Sequence, residues 1–167
     1  MQASTALEPS ATPARELISS LQFEAVTETV IGNNKGMDPG IAEQIVEEAL
    51  KFVAACAKHP GARLRPSRVV DEGWHALILH TATYRALCKR LGRFIHHTPE
   101  RPDPSRHSPQ ELGRTQALIV KAGFDVDRTL WLAPTDPSIS VAAECEHTPK
   151  NCASCFDGGG NGDGKSN

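Results

Sequence analysis

Ser67-Arg68-Val69-Val70-Asp71-Glu72-Gly73-Trp74-His75-Ala76-Leu77 is the stretch on which the fold turns. A serine hydroxyl accepts from a backbone N–H that the first helical turn leaves unsatisfied, so Ser67 reads as an N-cap. Asp71 and Glu72 then place negative charge where the helix dipole favours it. The spacing predicts one helix from this cap to Leu91, with Gly92 as its stop. Gly73 inside that helix costs roughly 1 kcal/mol relative to Ala, which points to another backbone or side chain passing close by.

Upstream, Thr12-Pro13 offers a cap and a first helical residue, and Leu17, Leu21 and Ala25 follow at helical spacing. This predicts a first helix from Pro13 to Ile31, ended by Gly32-Asn33-Asn34-Lys35-Gly36. Asp38-Pro39 restarts the pattern, and Ile41, Ile45, Ala49, Phe52 and Cys56 trace one face of a second helix that stops near His59-Pro60. Glu48 falls within about 20° of Ile41, in the middle of that apolar stripe, while Glu43, Glu47 and Lys51 take the polar side. A carboxylate so placed needs a partner, or it must snorkel at the edge of the stripe.

Downstream, His97 to Ser108 holds three prolines and reads as a surface loop. Ser108-Pro109-Gln110-Glu111 is a capping box that opens a fourth helix through Leu112, Gln116 and Ile119 to Gly123. Phe124 to Pro137 fits an extended segment or one more helical turn. No alternating strand pattern of useful length occurs. The expected fold is therefore all-α, an irregular bundle of about four helices. Its domain runs over 13–137, between a flexible N-terminus at 1–12 and a flexible Cys- and Gly-rich tail at 138–167.

The 167 residues suit one domain with a single core. With 18 basic and 20 acidic residues the net charge is −2, which calls for neither nucleic acid nor an anionic membrane. The basic run from Arg85 to Arg93 reads as the solvated side of a helix. The first twenty residues lack the basic-then-apolar pattern of a secretory signal, and no stretch approaches the roughly 18 apolar residues of a membrane span. A cytoplasmic setting is expected. Five cysteines, with three near the end, argue for ligands or buried thiols over a secreted disulfide scaffold.

Asp71 and His75 are four residues apart, about 40° of helical rotation, so they project from one face. Both can ligate a metal, or the carboxylate can orient the imidazole. Glu72 with His75 makes a Glu-x-x-His pair, a di-iron motif that normally comes twice and here comes once. His80, Tyr84 and Cys88 lie about 140 to 220° from His75 on the same wheel. Packing into the core is one reading of them, and a soft-ligand face for zinc, copper or iron is the other. His96-His97 follows the Gly92 stop, and a chain turning back there brings one of the two against Asp71 and His75. Cys88 with His96 as nucleophile and base is a third reading, without an oxyanion-hole motif to support it.

Pro66-Ser67, Val70-Asp71, Trp74-His75, Thr81, Tyr84, Cys88 and Gly92-Arg93-Phe94-Ile95-His96-His97-Thr98-Pro99 together resemble bacterial relatives of the glycine-rich domain-containing protein family. Plant and fungal members of that family carry Asp-x-x-Trp-His, then Tyr, then a Gly-x-x-x-x-His ending. The resemblance covers about residues 40 to 100. It implies Asp71, His75 and His97 as a polar core, with Trp74 and Tyr84 as aromatic partners. Eukaryotic members often add a His two residues after the Trp-His histidine, where this chain has Leu77.

A second cluster, Cys145, His147, Cys152 and Cys155, has enough soft ligands for a closed zinc knuckle. A redox-active pair and an unstructured cysteine tail are the other readings. The expectation for function is a protein binding one transition metal, zinc first and iron or copper next, through Asp71, His75 and His97. His96, Glu48, Glu72, His80 and Cys88 are second-rank candidates. A mononuclear metalloenzyme of unknown substrate is one form of this, with catalysis left open: no phosphate loop, nucleotide fingerprint, Gly-x-Ser-x-Gly elbow or His-Glu-x-x-His helix occurs in the sequence. The alternative is a non-catalytic helical interaction module with a buried Asp/Trp/His network.

Overall fold

A computed structural model describes residues 13–98, 109–133 and 135–142. The tail cluster of Cys145, His147, Cys152 and Cys155, the 1–12 segment and the Ser108 cap lie outside the described residues. Among those described, the chain forms five α-helices and no strand: α1 (Ser20–Asn33), α2 (Pro39–Lys58), α3 (Arg68–Leu79), α4 (Thr81–Arg90) and α5 (Pro109–Lys121). No helix there is long and apolar enough to cross a membrane.

The all-α expectation holds, but two predicted helices are divided. The first is a 3-10 turn at Ala14–Leu17 followed by α1, with Ile18 extended between them. The cause was visible in the sequence: Ser19 and Gln22 form a reciprocal capping box that starts a helix at Ser20. The predicted Ser67–Leu91 helix breaks at His80, whose ψ of 66° leaves the helical region. There His80 Nε2 meets Thr29 Oγ1 of α1 at 2.8 Å, a tertiary contact that no local signal announces.

α2 runs through the middle, packed against α1, α3 and α5. Asp38 caps it by accepting the Ile41 N–H at 3.1 Å, and twelve of its residues are buried. The expected close approach at Gly73 is to α2: a Cβ there would lie 2.7 Å from the Ile45 carbonyl oxygen and 2.9 Å from Ala49 Cβ. Gly92 (φ 84°) and Gly123 (φ 96°) end α4 and α5 in the left-handed conformation. In each case two backbone bonds reach back, such as Gly92 N to Lys89 O and Arg93 N to Cys88 O. The segment from Phe124 is mostly irregular with one 3-10 turn, Arg128–Leu130. It is tied to the start of α3 by Ser67, whose hydroxyl donates to Leu130 O at 2.6 Å and accepts from Val70 N at 3.1 Å.

Lys51 is a correction. Expected on the polar side, it is 3% exposed, because the 124–131 segment covers that side of α2. Glu48 is neither snorkelled nor at an edge: it is 1% exposed, takes the Trp131 indole N–H at 2.9 Å, and lies 3.2 Å from Lys51 Nζ.

Candidate metal centre

The Ser67 cap starts α3 so that Asp71 falls in its first turn, with its carboxylate 1% exposed beneath the surface. One turn on, His75 Nε2 stands 3.4 Å from Asp71 Oδ2. The chain reverses at Gly92 and runs on in irregular backbone to Thr98. Along it Phe94 and His96 are exposed, while Ile95 is buried and His97 is half-buried. This in-out alternation, the periodicity of extended backbone, turns His97 inward. His97 Nε2 reaches Asp71 Oδ1 at 3.2 Å. Its ring centroid is 4.4 Å from that of His75 and 4.6 Å from that of Trp74, so it sits between them.

One carboxylate oxygen and two ring nitrogens thus converge, with all three ligand atoms within 4.8 Å of one another. Two ligand atoms that are each about 2.1 Å from an ion, and that subtend 90 to 110° at it, lie roughly 3.0 to 3.4 Å apart. The two Asp71–His separations, 3.2 Å from His97 to Oδ1 and 3.4 Å from His75 to Oδ2, fall in that range but engage opposite oxygens, so the two imidazoles flank the carboxylate. His75 keeps 26% of its side chain exposed and His97 keeps 8%, so the cluster opens to solvent on the His75 side.

The second-rank candidates go elsewhere. Glu72 is buried against α1, where Asn34 Nδ2 donates to its Oε1 at 2.9 Å. His80 bonds to Thr29, and the exposed His96 ring lies against Phe94 at 4.8 Å. Glu48 belongs to the Lys51–Trp131 group on α2. Cys88 is buried beside Tyr84, and burial pushes its thiol pKa up, only partly offset by the neighbouring Ile95 backbone and Tyr84 hydroxyl. A raised pKa is the reverse of what a nucleophilic cysteine needs. Sequence reasoning missed Asn34, Lys51 and Trp131. Only the indole of Trp131, an aromatic with a donor to satisfy, carried a signal.

Residues 14–116, well over half of the chain and including Asp71, His75 and His97, match the UCP032817-like family, and the chain belongs to it. No curated protein and no solved structure matches.

Proposed function

We propose that this member of the UCP032817-like family binds one transition-metal ion between Asp71, His75 and His97. The single observation behind this reading is the convergence of three ligand atoms from two separate segments within 4.8 Å of one another. A carboxylate beside two imidazoles suits zinc, and equally the two-histidine, one-carboxylate site of non-haem iron. Either ion would keep open positions for water or substrate and would supply Lewis acidity there. The chain's own part is to hold the ligands: α3 presets Asp71 and His75, and the segment after Gly92 brings His97. The resemblance to the glycine-rich domain-containing family fits the same three residues, and a cytoplasmic setting goes with this reading.

The test is elemental analysis of the purified full-length protein, with His75→Ala in parallel. Three serines in place of Cys145, Cys152 and Cys155 keep the tail from contributing. About one zinc, iron or copper per chain is expected, lost in His75→Ala. Protein that purifies metal-free and takes up none of the three would remove this reading.

A second reading has one observation in its favour. The 3.2 Å contact between His97 and Asp71 is already a hydrogen bond without an ion, as a non-catalytic module with a buried Asp/Trp/His network requires. In that case Asp71→Asn lowers the melting temperature while chelators change nothing.

A further inference from the structure

Asp71 and His75 share one helical turn, so backbone hydrogen bonding alone sets their relation. His97 has no such guarantee, since it sits in irregular backbone five residues past the Gly92 reversal. Something must register that segment against α3 to a fraction of an ångström if the three ligand atoms are to converge.

The carbonyl of Ile95, two residues before His97, accepts the Tyr84 hydroxyl at 2.5 Å. The same hydroxyl accepts the Trp74 indole N–H at 2.9 Å. Trp74 immediately precedes His75, and its ring packs edge-on against the ring of His97. Tyr84 is 4% exposed and Trp74 and Ile95 are at most 1% exposed, so water does not compete for these bonds. One hydroxyl therefore joins α3, α4 and the returning segment, and the break at His80 is what swings α4 round to present it.

We infer that Tyr84 is a positioning residue for the metal centre, its hydroxyl locking Ile95 to Trp74 so that His97 arrives over Asp71 and His75. The inference rests on the metal-binding reading for its consequence, but the geometry it describes exists without metal. Partners that orient a ligand typically change metal affinity by 10- to 100-fold when removed. Tyr84→Phe keeps the ring and leaves the Trp74 N–H and the Ile95 carbonyl without the hydroxyl between them.

The experiment uses the full-length chain with the three tail cysteines changed to serine. Zinc affinity is measured by competition with a chromophoric chelator, and the Trp74–His97 ring contact is measured by NMR without metal. Tyr84→Phe should bind zinc about 10- to 100-fold more weakly and lose the ring contact. A folded Tyr84→Phe protein that binds within threefold of wild type and keeps the contact overturns the inference. If wild type takes up no zinc, the metal-binding reading fails, and the ring contact in metal-free Tyr84→Phe still decides the positioning role. Should Tyr84→Phe not fold, Tyr84 is the chain's one tyrosine, so 3-fluorotyrosine labels this position alone. Its fluorine resonance should then move on zinc addition and in His97→Ala, and a line that stays put in both overturns the inference.

Discussion

Glu48 on α2 and Asp71 on α3 are both carboxylates at 1% exposure, on two helices that touch at Gly73. Their surroundings are opposite in kind. Glu48 faces a lysine ammonium at 3.2 Å, an indole N–H at 2.9 Å and the backbone N–H of Asp127 at 3.4 Å. Lys51 in turn reaches Asp125 at 3.2 Å. Those partners are permanent donors, so the group is complete and acts as a clamp holding the 124–131 segment on α2. Asp71 faces two imidazoles through their Nε2 atoms. An imidazole nitrogen can exchange a proton for a metal ion, whereas an ammonium at neutral pH cannot. Burial alone therefore does not single out a candidate metal ligand. The chemistry of its neighbours does.

The sharpest break of this comparison is Lys51→Ala. It leaves Glu48 buried without its cation and should cost about 3–5 kcal/mol in urea denaturation, with zinc uptake by Asp71 retained. A cost under about 1 kcal/mol would show that Lys51 does not compensate Glu48. The metal side is tested by chelation. With zinc at a hundred times its dissociation constant, binding should stabilise wild type by about 2.7 kcal/mol, and EDTA should abolish that gain. Asp71→Asn should show no gain, while Glu48→Gln should keep it whole, and thermal melts with and without EDTA separate the two carboxylates.

Gly73→Ala probes the contact between the two helices. Its Cβ meets the Ile45 carbonyl, a backbone atom that cannot rotate away, so overpacking should cost about 1–3 kcal/mol by thermal unfolding. An unchanged melting temperature would mean that α2 and α3 can slide apart freely.

The smallest effect is one of pH. Burial, the largest influence, raises the Glu48 pKa, while Trp131 and Lys51 pull it down. The folded chain then binds that proton more tightly than the unfolded chain. Its contribution favours folding below the ordinary value of 4.5 and is lost as pH rises through the raised one. Lys51 behaves differently. Burial would lower its pKa, but Glu48 and Asp125 outweigh that and hold it above 10.5, so its contribution persists until pH rises through the folded value. Melts from pH 4 to 8 should show wild type losing stability relative to Glu48→Gln as pH rises, and a difference that grows instead would reverse the assignment.

Much of the frame was legible because it is local. Asp38 and Ser67 cap where their hydrogen-bonding chemistry says they should, and Gly92 and Gly123 stop helices in the conformation that glycine alone adopts without strain. Gly73 announced a close neighbour without naming it. The split of the first helix was legible too, in the reciprocal capping pair Ser19 and Gln22. Lys51 was misplaced because a helical wheel knows only its own helix, and the cover over that face comes from residues more than seventy positions later.

For the candidate site, sequence by itself determined that Asp71 and His75 share a face, since the 3.6-residue period leaves a four-residue step no other outcome. Tertiary structure decided the rest. It broke the third helix at His80, sent Glu72 to Asn34 and Glu48 to Lys51, and chose His97 over His96. Each of those outcomes depends on which distant segment arrives to satisfy a buried polar group, and that depends on how the whole chain packs.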